Sequence, residues 1–99
     1  MDKATIDQAI NAVRGHSQEW ARLPVVEKTD LFAGVRAKCN SAAERWVEAA
    51  VEAKGIPSGS PLAGEEWASG PWALNSTITE VLNSLEALAS GDRTRLRPQ

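Results

Sequence analysis

Few residues in this chain have side chains that could carry chemistry, and each is better explained by packing or solvation. Cys39 is the one cysteine. A nucleophilic thiol needs a neighbouring base and an electropositive, accessible setting. Cys39 instead falls on the apolar stripe Leu31, Phe32, Val35 and Cys39 of a helical pattern, where a free cysteine behaves as a small packed hydrophobe. His16 is the one histidine, and a lone imidazole at the edge of a helical stripe is more often a surface or interface residue than a general base. Glu44, Glu48 and Glu52 form an i, i+4 ladder. Helical metal sites need inward glutamates together with Glu-x-x-His, which the chain lacks, so the ladder reads as a solvated face. Asn75-Ser76-Thr77 matches the glycosylation sequon but falls within a helical pattern. The chain contains no P-loop, no G-x-G-x-x-G after a strand, no Cys-x-x-Cys and no His-containing metal cluster. We expect no catalytic, cofactor-binding or metal-binding residue here.

Composition sets the wider bounds. Ninety-nine residues, 42% hydrophobic and 24% charged, suit one modest globular core rather than disorder. A net charge of −2 offers no positive field for nucleic acid. The apolar runs are too short for a bilayer, and the first residues lack a secretory pattern. A single cysteine cannot build an internal disulfide framework. These features predict a cytoplasmic protein without a nucleic-acid, membrane or small-molecule partner of its own.

The elements that would position these residues are helical. Thr5 and Gln8 have capping-box spacing and open a helix to Arg22. Its stripe is Ile6, Ala9, Ile10, Val13, Ser17 and Trp20. Pro24 suits the first turn of a second helix, and Ser41 with Glu44 suggests a joint at Asn40-Ser41, the alternative being a continuous helix with an exposed Asn-Ser pair. A third helix, 42–54, ends at Gly55-Ile56-Pro57, a left-handed stop followed by proline. It has two apolar sides: Ala43, Val47, Ala50 and Val51 on one, Trp46, Ala49 and Ala53 on the other. The second side exceeds what a small bundle covers, which makes Trp46, Ala49 and Ala53 the candidate interface.

Residues 57–71 are rich in Gly, Pro and Ser and read as a long loop holding one short helical turn. Leu62, Trp67 and Trp72 are its expected anchors. If both indoles were buried, truncating either would cost about 3–5 kcal/mol. The last helix opens at Gly70-Pro71, carries Leu74, Ile78, Val81, Leu82, Leu85 and Leu88, and closes at Gly91. The expected architecture is therefore all-α, a small bundle of about four helices with a long loop before the last. Residues 1–91 form the single domain, and residues 92–99, with Arg93, Arg95 and Arg97, a flexible tail.

The order of landmarks carries a resemblance. Trp20, Glu27-Lys28, Leu31-Phe32, Trp46-Val47-Glu48-Ala49-Ala50 and Glu52-Ala53-Lys54-Gly55-Ile56-Pro57 together resemble the N-terminal helical region of the aldehyde dehydrogenase superfamily. That region typically shows a Trp, a Glu-Arg pair followed by Ile-Leu, and a Glu-x-Gly-Lys-Pro helix end. Lys28 replaces the arginine here and Ile56 the lysine. The segment Leu62 to Trp72 lies outside the common pattern and suggests a divergent member. The resemblance implies a non-catalytic helical segment of an NAD(P)-dependent oxidoreductase, packed against the cofactor domain of a parent protein. NAD or NADP would then belong to the parent, and no cofactor to this chain. It also implies that Cys39 is not the family's nucleophile. The alternative is a stand-alone helical module for protein interaction or homodimerisation. The expected partner is a second copy or the remainder of a parent.

Overall fold

In the computed structural model, residues 1–91 are described, and all of their regular structure is helical. The order is α1 (Lys3–Gly15), α2 (Ser17–Arg22), α3 (Val25–Lys54), α4 (Ala63–Trp67), a π-helical turn (Ala68–Trp72) and α5 (Ala73–Ser90). The expected tail, 92–99, lies outside the described residues.

All-α is the architecture found, but the four-helix bundle is not. Among the described residues, three helices exceed ten residues: α1, α3 and α5. The joint expected at Asn40-Ser41 is absent, and α3 runs unbroken for 30 residues. Ser41 does not cap a new helix; its hydroxyl donates to the Lys38 carbonyl at 2.9 Å. That back-bond satisfies the hydroxyl without freeing the backbone, so the helix continues through it. Pro24 precedes the first turn, with an extended ψ of 144°. Glu27 and Lys54 stand at the ends where the helix dipole favours each charge.

The stop at the far end of α3 is as expected. Gly55 is left-handed, with φ 66° and ψ 30°. The Ile56 amide donates to the Val51 carbonyl at 3.0 Å and the Gly55 amide to the Glu52 carbonyl at 3.1 Å. This is the paired closure of a Schellman turn, and a side chain at position 55 would strain it.

The long loop expected over 57–71 is mostly helix. Leu62, Trp67, Ala68, Trp72 and Ala73 all have right-handed helical φ and ψ, so the chain coils from Ala63 to Ser90 in one direction. Pro71 lies inside this run. Proline lacks an N–H, and its ring collides with the carbonyl four residues back. The helix accommodates it by widening into a π turn, the usual form of such a bulge. Between α3 and this run, irregular backbone is confined to 55–62.

α3 and the 63–90 run pack antiparallel as a helical hairpin. Contacts at three levels fix its register. Lys54 Nζ donates to Glu66 Oε1 at 2.6 Å, the Arg36 guanidinium donates to Thr79 Oγ1 at 3.2 Å, and the Trp46 ring lies on Gly70. Ala43 and Val47 from α3 meet Pro71, Ile78, Leu82 and Ala87 as the buried set. Of the stripe expected on α5, Ile78 and Leu82 are buried, while Leu88 is exposed.

The first 22 residues do not join this hairpin. Among the described elements, α1 packs only on α2. Neither helix has a buried residue, so the stripe expected to face a core faces outward instead. The expected single helix also breaks at His16, where φ is −101° and ψ 5°. Asp2, not Thr5, caps the start: its Oδ1 accepts from the Thr5 amide at 2.8 Å and the Thr5 hydroxyl at 2.7 Å. The arm meets the hairpin through Trp20. That ring packs edge-on against Phe32, with centroids 6.2 Å apart, and Lys28 Nζ sits 5.2 Å from the indole centroid. The radius of gyration is accordingly 17.6 Å, against about 13 Å for a compact chain of this length.

The hairpin core and the exposed indole should respond very differently to truncation. Leu82→Ala should cost about 2–5 kcal/mol, because Leu82 is 4% exposed. Trp72→Ala should stay within about 0.5 kcal/mol, because Trp72 is 67% exposed. Urea unfolding followed by circular dichroism checks both.

Candidate functional site

The reactive side chains remain apart. Cys39 is a free, half-buried thiol on α3. His16 lies at the α1–α2 break, where Nδ1 pairs with Glu19 Oε2 at 2.9 Å, both side chains 76% exposed. A surface pair of this kind is solvated and weak. Glu44, Glu48 and Glu52 are all exposed, in keeping with a solvated face. In the sequon, the Thr77 hydroxyl donates to the Ala73 carbonyl inside α5 at 2.9 Å. Among the described residues, no three His, Cys, Asp or Glu side chains converge on a cation position.

What the structure offers instead is apolar surface. On the arm, Ile6, Ile10, Val13 and Trp20 are between 43% and 75% exposed. Ala12, Val13, His16, Ser17 and Trp20 frame an open hollow of about 450 Å³ on this face. The stripe is legible in the sequence as helical periodicity, but its exposure is not.

A second apolar face surrounds the π turn. Leu62, Trp67 and Trp72, expected to pin the loop down, are instead 52%, 43% and 67% exposed. Trp67 and Trp72 border a hollow of about 480 Å³ with Gly64 and Ala68, and one of about 320 Å³ with Asn40, Ala43, Pro71 and Asn75. Single exposed apolar residues need no explanation, but contiguous patches mark contact surfaces. Within the π turn, the Ser69 hydroxyl donates back to the Glu65 carbonyl at 2.7 Å.

The candidate interface Trp46, Ala49 and Ala53 is exposed on α3, with Trp46 40% exposed. One side of the indole is engaged within the hairpin. A methyl placed on Gly70 would lie 3.3 Å from Trp46 Cε2 and 3.4 Å from Cζ2. Gly70 thus allows the ring to lie against the turn, and Trp46 helps to set the hairpin register.

Electrostatic perturbation falls on the arm, at Asp2. The Thr5 amide, and then its hydroxyl, donate to Asp2 and hold that carboxyl below its ordinary range. A carboxyl depressed on folding stabilises the helix start above its ordinary titration range and loses that effect as pH falls through the lowered value. Carbon chemical shifts at residues 3–6 should therefore move toward coil on acidification below about pH 4. In Asp2→Ala the same residues should be frayed throughout, with no such titration.

Comparison of the chain with family models, with curated proteins and with solved structures finds no match.

Proposed function

We propose that the chain is a non-catalytic helical docking element, with the α3–α5 hairpin as scaffold and the α1–α2 arm as contact surface. The observation that carries this reading is the arm itself: an amphipathic helix whose apolar stripe no described part of the chain covers. An amphipathic helix gains most of its stability by burying its apolar face against something else. The face around Trp67 and Trp72 adds a second surface of the same kind. Helix-in-groove contacts use such i, i+3, i+4, i+7 anchors, and Ile6, Ala9, Ile10 and Val13 supply them.

The test is whether the stripe is surface or core within the chain. An environment-sensitive apolar dye should bind the wild type, and Ile10→Glu should reduce that binding while leaving the unfolding midpoint of the hairpin unchanged. A large loss of stability in Ile10→Glu would show that the arm is packed in cis and would overturn the reading.

A second reading is favoured by the motif order from Trp20 to Pro57, which resembles an aldehyde-dehydrogenase-like oxidoreductase. On that reading the docking surface belongs to the remainder of a parent polypeptide, which supplies the NAD or NADP site. The described residues offer no strand-to-helix turn for a dinucleotide. Calorimetric titration of this chain with NAD and NADP should accordingly show no binding, and micromolar binding at one site would contradict both readings.

A further inference from the structure

We propose that α1 pairs with α1 of a second copy, antiparallel, about a two-fold axis beside Ile10. This rests on the reading of the arm as a docking surface and commits that surface to one occupant. The stripe across the axis is Ile6, Ala9, Ile10 and Val13, with Ile6 44%, Ile10 51% and Val13 75% exposed. Ala9 at its middle leaves room for close approach of the two helices. In an antiparallel pair, Ile6 of the partner subunit falls beside Val13. The hollow framed by Ala12, Val13, His16, Ser17 and Trp20, about 450 Å³, opens there and has room for that side chain.

Charge selects the direction. Asp7 and Arg14 are seven residues, or two turns, apart and so share one flank of the stripe. Antiparallel pairing sets Asp7 opposite Arg14 of the partner subunit, and the two-fold axis makes that contact twice. Parallel pairing would set this flank against the opposite flank of the partner helix, so Asp7 and Arg14 would not meet across the seam and the contact would be lost. Within the chain, Lys3 Nζ reaches Asp7 Oδ2 at 2.5 Å, and among the described residues Arg14 has no ion-pair partner. Two 13-residue helices bury less than the roughly 1,200 Å² of a stable interface. The dimer should be weak, with a dissociation constant on the order of 0.1–1 mM.

Sedimentation of the full chain between about 10 µM and 1 mM tests the pairing, since this range brackets the expected constant. The wild type should shift from monomer toward dimer across it. Asp7→Arg and Arg14→Asp should each stay monomeric, since each sets like charges across both contacts. An equimolar mixture of the two variants should regain the dimer. One variant then carries arginine at both flank positions and the other aspartate at both, so opposite charges meet at each contact. Failure of the mixture to associate, or unchanged association of either single variant, would overturn the pairing. A wild type that stays monomeric throughout but binds the apolar dye at α1 would overturn the pairing and leave the docking reading standing.

Discussion

Antiparallel packing of α3 on the 63–90 helical run holds every other feature of the molecule in place. The buried set is small: Ala43 and Val47 on one side, Ile78, Leu82 and Ala87 on the other, with Pro71 at the turn. Small residues on both helices let the axes approach, and the longer Ile78 and Leu82 fill the space between them. A core of this size holds two helices together but leaves nothing for a third. That is why the arm lies outside the packing, and why its apolar stripe remains available.

Polar contacts set the register that this burial alone would leave loose. Lys54 with Glu66 fixes the loop end, the Glu66 side chain being only 11% exposed, and Arg36 with Thr79 fixes a point further along the hairpin. Between them, Trp46 lies on Gly70 at the π turn. Pro71 has a double role. It forces the helix to widen, and it is itself buried in the hairpin. The widened turn also sets Trp67 and Trp72 along one open surface, five positions apart where a regular helix would favour three or four.

Helical periodicities are plain in the sequence, because each stripe repeats at the right spacing over several turns. Gly55-Ile56-Pro57 and Gly91 stand out as helix ends for the same local reason, and both glycines are left-handed, as expected at Gly55. The departures are equally physical. Ser41 resembles a cap, but its hydroxyl bonds back to the Lys38 carbonyl. Pro71 resembles a helix start, but a π turn absorbs it. Periodicity shows which face of α1 is apolar, yet not whether any neighbour covers it; that depends on tertiary packing, which spacing does not encode. The same ambiguity makes Trp67 and Trp72 resemble buried anchors, and Ile6, Ile10 and Val13 resemble core. Trp46, the interface candidate legible in the sequence, sits beside the scaffold's own turn.

The docking role depends on one structural condition, that α1 and α2 stand clear of the hairpin in a single copy of the chain. The alternative is an arm folded back across α3, with its stripe covered from within. Small-angle X-ray scattering, extrapolated to infinite dilution, distinguishes these states without reference to any partner. An open arm predicts a radius of gyration no smaller than the 17.6 Å of the Cα trace. A value near the roughly 13 Å of a compact chain of this length would show the stripe already buried and would overturn the docking role.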